Sequence, residues 1–122
     1  MSTRFIVILS LLTIFTFVNN LFMKTKGNFI DSCQEVKLKG TFLEASCKTQ
    51  NGNYRIRRYD LRDALGVGYK KLIWQEKGKY SDHVTNCELI GKSTLQCLKN
   101  KTKVSIDLNE RIKNWDGYLK YL

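Results

Sequence analysis

Hydrophobic residues fall into two regimes along this chain. Residues 5–18 read FIVILSLLTIFTFV without a charge, and Arg4 precedes them. Beyond residue 27 the apolar positions are short and interrupted: Val36 and Leu38 alternate with lysines, and Tyr54 and Ile56 alternate with arginines. A period of two buries one side of an extended strand and leaves the other in water. No apolar stripe of helical period and ordinary helical length occurs after Gly27. The pattern therefore predicts an all-β domain with short helical turns only.

The same pattern places the turns. Val36 and Leu38 lead into Lys39 and Gly40, and Phe42 opens a second run toward Cys47, which predicts two strands joined at residues 39–40. Asn51 and Gly52 form a tight-turn pair ahead of residues 54–57, predicting another hairpin. Proline is absent, so glycine and asparagine must make the turns. Asp60 stands ahead of Asp63, and Asp107 ahead of Glu110, each at the spacing by which a capping side chain and an acid start a helical turn.

These elements recur in order. Residues 60–74 read DLRDALGVGYKKLIW, and residues 107–121, 47 positions on (107 − 60), read DLNERIKNWDGYLKY. The alignment pairs Leu61 with Leu108, Leu65 with Ile112, Leu72 with Leu119 and Trp74 with Tyr121. A cysteine pair lies upstream of each copy, so the unit is a half-domain: repeat 1 spans about residues 28–76 and repeat 2 about 77–122. Two units are too few for a solenoid, and one pseudo-symmetric domain over residues 28–122 is expected. Lys77, Gly78 and Lys79 read as a flexible connection between the copies.

Residues 1–27 read as a hydrophobic helical segment, a signal peptide with Arg4 as its basic end, or a membrane anchor if the apolar run extends to Met23. Thr25 and Gly27 place small residues for cleavage ahead of Asn28. Both readings export the domain, as a secreted protein or as a single-pass anchored one. Without residues 1–27 the chain loses Arg4, Lys24 and Lys26 and keeps 18 basic against 11 acidic side chains, a balance of +7. That charge predicts weak, salt-sensitive association with anionic surfaces, but the basic residues are scattered and no specific nucleic-acid site is indicated. An exported chain with four cysteines points to disulfides. Of three pairings the repeat favours Cys33 with Cys47 and Cys87 with Cys97, each closing its own hairpin. Short Cys-x-x-Cys knuckles are lacking, and His83 is the only histidine, which argues against zinc.

Catalytic templates fit poorly. One histidine excludes a two-histidine nuclease centre, and neither a Ser-His-Asp context nor a phosphate-cradling glycine loop is present. Most carboxylates stand at capping or turn positions. Neither an enzyme nor a cofactor site is expected. The triplet Asn100, Lys101 and Thr102 matches an N-glycosylation acceptor.

The ordered set Cys33, Leu38, Gly40, the run 43–47 (LEASC), Asn51 and Gly52, Asp107 and Leu108, and the run 112–121 (IKNWDGYLKY) resembles the cyanovirin-N homology family of lectins over nearly all of residues 29–122. The resemblance implies a bilobal, pseudo-symmetric β fold with strand exchange: lobe A of about residues 28–65 plus 111–122, lobe B of about 66–110, and one disulfide in each. It further implies a metal-independent carbohydrate-binding protein that recognises oligosaccharides, typically mannose-rich arms of glycoproteins, without catalysis. A monomer or a dimer swapped through residues 75–79 would fit.

Carried over position by position, the family's lobe A site falls on Asn28, Asp31, Ser32, Lys48, Gln50, Asn114, Trp115 and Asp116. Amides, carboxylates and hydroxyls suit sugars because each exchanges hydrogen bonds with neighbouring hydroxyls. Asn114 and Asp116 match the motif, Lys48 replaces a family acid, and Trp115 replaces an aliphatic residue. The indole would either stack on a sugar or bury itself between the lobes. Residues 114–117 also read simply as a turn, with Gly117 at positive φ. In lobe B the matching residues 66–70 (GVGYK) have lost the motif, residues 79–83 read as an insertion before Cys87, and the ordinary site is expected to be missing. The alternative function is a cationic surface protein held to anionic glycans or membranes by charge.

Overall fold

A computed structural model describes residues 26–122; the apolar run of residues 5–18, with its expected helix, lies outside the described residues. Three antiparallel strands form the first sheet: β1 (Cys33–Lys39), β2 (Phe42–Lys48) and β3 (Tyr54–Asp60), in that order. A short hairpin follows, β4 (Leu65–Val67) with β5 (Leu72–Trp74). The second copy repeats the plan with the sheet β6 (Thr85–Ile90), β7 (Thr94–Lys99) and β8 (Thr102–Asp107), then the hairpin β9 (Ile112–Trp115) and β10 (Tyr118–Tyr121). Single turns of 3-10 helix at Phe29–Asp31, Leu61–Asp63, Tyr80–Asp82 and Leu108–Glu110 link these pieces.

The hairpins are exchanged between halves. β10 packs on β3, and β5 packs on β8. Lobe A is therefore the first sheet closed by β9 and β10, and lobe B is the second sheet closed by β4 and β5. The beginning of the described chain joins the same closure: Gly27 N–H donates to the Glu110 carbonyl at 2.9 Å, Asn28 N–H to the Asn109 carbonyl at 2.8 Å, and Asn28 bridges Lys113. Gly27 lies so close to β9 that a Cβ would stand 2.0 Å from the Ile112 carbonyl oxygen. Trp74 and Tyr121, partners in the sequence repeat, meet as stacked rings 5.5 Å apart.

The repeated apolar positions form one core. Leu61, Leu65 and Leu72 and their counterparts Leu108, Ile112 and Leu119 are all buried, together with Phe29 and Tyr80. Each such side chain contributes about 1.5–3 kcal/mol on leaving water. Asp60 and Asp107 cap as expected, accepting from the N–H groups of Arg62 and Asn109 at 3.1 and 3.0 Å.

Both disulfides, Cys33–Cys47 and Cys87–Cys97, are formed, with Cα atoms 4.1 and 4.0 Å apart. They do not occupy matching rungs. β1 pairs Cys33 directly with Cys47, and an irregularity follows between Gln34 and Lys37. The same irregularity in β6 lies between Thr85 and Glu88, which makes Val84 the counterpart of Cys33 and places Cys87 within the irregularity. Residues 79–83 are consequently not an insertion. Tyr80–Asp82 is the counterpart of Phe29–Asp31, each entered through a left-handed residue, Lys79 or Asn28. The cysteine has moved along the strand.

The connection between copies also differs from the sequence expectation. Lys77 N–H donates to the Asp63 carbonyl at 2.8 Å and Lys79 N–H to the Arg62 carbonyl at 3.0 Å, while a Cβ on Gly78 would stand 2.4 Å from the Leu65 carbonyl oxygen. A segment so tied is part of the packing. The β4–β5 pairing continues outward, with Gln75 N–H donating to the Ala64 carbonyl at 2.8 Å, so the chain after the hairpin runs back along the turn that precedes it.

Candidate functional site

The seam between β9–β10 and the end of β2 holds a shallow groove of about 330 Å³, lined by Ser32, Lys48, Thr49, Gln50, Asn114, Trp115 and Asp116. Its floor is fixed by one turn. Trp115 pairs with Tyr118, leaving Asp116 and Gly117 as a two-residue connection with φ of 48° and 87°. Both angles are left-handed, the requirement of the tight hairpin turn that Asp-Gly favours. A Cβ on Gly117 would also stand 2.9 Å from the Thr49 methyl carbon, so the hairpin tip rests against the β2–β3 loop.

Asn114 joins three segments. Its Nδ2 donates to Ser32 Oγ at 2.8 Å and to the Lys48 carbonyl at 2.9 Å, and its Oδ1 accepts from Gly117 N–H at 2.8 Å. Asp116 fastens the loop from the other side, its Oδ1 accepting from Gln50 N–H at 2.9 Å. The residues around Cys33, those after Cys47 and the last hairpin are thus one hydrogen-bonded unit. The amide donors of Asn114 are already committed within the protein. For a ligand there remain the second carboxylate oxygen of Asp116, the side chains of Lys48 and Gln50, and the indole of Trp115. Thr49 Oγ1 is shielded and lacks a hydrogen-bond partner among the described residues.

Six of the eight candidate positions, Ser32, Lys48, Gln50, Asn114, Trp115 and Asp116, come together in this groove. Asn28 and Asp31 do not line it. Asn28 faces Asn109, whose Nδ2 donates to its Oδ1 at 3.4 Å, and Asp31 is exposed beside Ser32. Thr49 is the residue that the transfer missed, although its place between Lys48 and Gln50 was the available signal. Trp115 is 56% exposed, which excludes burial between the lobes; Trp74 and Tyr121 fill that role. The outer face of the hairpin carries Lys113 and Lys120, whose ammonium groups lie 5.2 and 5.4 Å from the Trp115 ring centre, while Arg57 lies 4.1 Å from that of Tyr118.

The corresponding corner of lobe B is built differently. The five residues between β2 and β3 are replaced by two, Asn100 and Lys101, and the hairpin turn lengthens to residues 68–71. By register, Lys99 opposite Thr102 takes the place of Cys47 opposite Arg55. Its Nζ donates to the Gly68 carbonyl at 3.1 Å, tying the hairpin tip to the strand end. A second groove, of about 740 Å³, lies between Tyr59, Glu76, Arg111 and Tyr121. Among the described residues no cluster of potential metal ligands is found, and no helix is long and apolar enough to cross a membrane.

Solved structures share this architecture. MoCVNH3 variant Mo0v, in complex with (N-GlcNAc)4, superposes with a TM-score of 0.75 at 18% identity, covering 79% of this chain and 97% of its own. TbCVNH of T. borchii has a TM-score of 0.70 at 26% identity, covering 78% and 99%. Microvirin, in complex with mannobiose, has a TM-score of 0.61 at 19% identity, covering 79% and 99%. The profile of the CVNH domain matches residues 29–120, a span containing both repeats and both disulfides, and the chain belongs to the CVNH family.

Proposed function

We propose that this protein is an exported, metal-independent and non-catalytic lectin that binds oligosaccharides through the lobe A groove. One observation carries the reading: Ser32, Lys48, Gln50, Trp115 and Asp116 converge on a shallow depression in a chain whose structural relatives include proteins solved with GlcNAc oligomers and mannobiose. An open groove with an exposed indole and a few fixed polar groups suits a pyranose, which offers an apolar face and a rim of hydroxyls. Two disulfides support an oxidising compartment. Lys48 favours a ligand other than plain mannose. One sugar site per chain gives weak affinity, because a polar ligand recovers little after desolvation, and avidity then requires a swapped dimer or a membrane anchor.

A glycan array with wild type, Trp115→Ala and Gln50→Ala tests the assignment. Loss of signal in the variants supports the groove; equal binding by all three removes it. The second reading, charge-driven adhesion to anionic surfaces, draws on the +7 balance and on Arg57, Lys113 and Lys120 around two exposed aromatic rings. It predicts anionic-liposome binding that disappears at high salt, and binding unchanged by salt would contradict it.

A further inference from the structure

We propose that the lobe A groove selects acidic saccharides, sugars bearing a carboxylate or sulfate, and that the anionic group is held beside Trp115 by Lys113 and Lys120 on the adjoining outer face of the hairpin, with Lys48 adding its charge inside the groove. The inference rests on the reading of the groove as a glycan site and names its ligand class.

The cations beside the Trp115 indole lead there. A neutral sugar presents hydroxyls that must both donate and accept, so a site for it needs free groups of both kinds. Here the Asn114 amide is committed to Ser32, Lys48 and Gly117, and one Asp116 oxygen is committed to Gln50 N–H. What remains is the Lys48 ammonium, a donor only, the Gln50 amide, which both donates and accepts, and one carboxylate oxygen of Asp116. The neighbourhood adds cations. Lys113 and Lys120 face each other across the β9–β10 hairpin, on the side that carries Trp115, and both ammonium groups lie within cation–π reach of the indole.

Among the described residues none of these three lysines forms an ion pair, whereas Lys39 and Arg58 both pair with Glu44. The opposing charges nearby are Asp116, one of whose oxygens accepts from Gln50 N–H, and exposed Asp31. A pyranose lying on Trp115 would therefore bring its anionic substituent among unpaired ammonium groups, which bond it as charge-assisted donors. A neutral sugar in the same place leaves that attraction unused.

The test is titration calorimetry at low salt with three probes: a uronic-acid tetrasaccharide, the same chain with its carboxyls reduced to alcohols, and an O-sulfated tetrasaccharide. The uronate should bind about ten-fold more tightly than its reduced form, and the preference should shrink as salt rises. Binding of the sulfated chain but not the uronate identifies sulfate as the recognised group, and the converse identifies carboxylate. Lys113→Ala/Lys120→Ala should lose the preference and keep binding of the reduced chain, whereas Trp115→Ala should weaken all three. Lys92→Ala/Lys103→Ala, which removes equal charge from lobe B, should change little.

Equal affinity for uronate and reduced chain, still sensitive to Trp115→Ala, overturns the acidic preference and leaves the lectin assignment standing. An acidic preference lost equally in the lobe B variant shows that general charge is responsible and overturns the site. Failure of every saccharide to bind wild type overturns the lectin assignment itself.

Discussion

Lobe A and lobe B are made from the same pieces in the same order, yet their corners differ in what they leave open. Both have a three-stranded sheet, an irregularity in its first strand, a capped helical turn and a hairpin received from the other repeat. In lobe A, five residues between β2 and β3 stand away from a two-residue hairpin turn, and the space between them is the groove. In lobe B the strand connection is shortened to two residues, the hairpin turn is lengthened, and Lys99 bonds across to Gly68. The difference teaches that a duplicated scaffold keeps its core contacts and varies at its loops, where insertion and deletion cost little.

The largest effect expected from breaking this comparison comes from the disulfides. Cys33→Ala/Cys47→Ala and Cys87→Ala/Cys97→Ala should each cost about 3 kcal/mol in urea denaturation, since each closes a short loop. Only the first should abolish glycan binding, because Ser32 and Lys48 flank that bridge; equal loss of binding from both folded variants would place the site elsewhere.

Asn114→Ala comes next. Its three hydrogen bonds contribute roughly 2–3 kcal/mol together, and their loss should both destabilise the protein and release the hairpin tip from the groove. A variant that retains full stability would show that the unit is held by other contacts.

The acid end of the pH scale should report lobe A, and the alkaline end both lobes, since burial raises Tyr59 in β3 as well as Tyr80. In lobe A, Arg58 hydrogen-bonds Glu44 at 2.7 Å and, with Lys39, holds its carboxyl below the ordinary 4.5. Its register counterpart in lobe B is the neutral Gln96. A depressed folded-state value stabilises above the unfolded one, so this contribution is present above pH 4.5 and lost as pH falls through the folded value. Glu44→Gln should flatten the acid limb of the stability profile.

In lobe B, burial pushes Tyr80 up to about 12 from 10.0, where lobe A has Phe29. A raised value acts the other way: the contribution is complete below pH 10 and lost as pH rises through about 12. Tyr80→Phe should reduce the alkaline limb, leaving the part due to Tyr59, and leave the acid limb unchanged.

The smallest expected effect lies in the strand irregularities. Glu35 at φ 54° and Asn86 at φ 52° are counterparts, and asparagine tolerates that left-handed conformation better. Glu35→Asn should raise stability by about 0.5–1 kcal/mol, read as a shift in the urea midpoint. No gain would show that the Glu35 backbone is not strained relative to Asn86.

Much of the scaffold was legible because local chemistry fixes it. Gly40 and Gly52 stand at positive φ where the alternation broke, and Asp60 and Asp107 cap the turns that their spacing announced. The candidate positions followed from a motif, and six of them meet in one groove. Sequence spacing misplaced the second disulfide's counterpart, because Cys97 lies two residues before the position matching Cys47 and Cys87 three after the position matching Cys33, a shift that the strand irregularity absorbs. It also described residues 77–79 as loose, since glycine and lysine give no sign that the chain continues the β4–β5 pairing outward to residues 62 and 63.

Sequence alone determined the duplication, the strands and the capped turns and favoured the cysteine pairing that the structure holds, because each depends on residues close together in the chain or on the repeat itself. Only the tertiary structure decided that lobe A has an open groove, that Trp115 faces solvent, and that Asn114 is spent on holding three segments together. The physical reason is distance along the chain: Ser32, Lys48 and Asn114 meet only after one repeat has lent its hairpin to the other, and no local pattern records which side chain will be left free when they do.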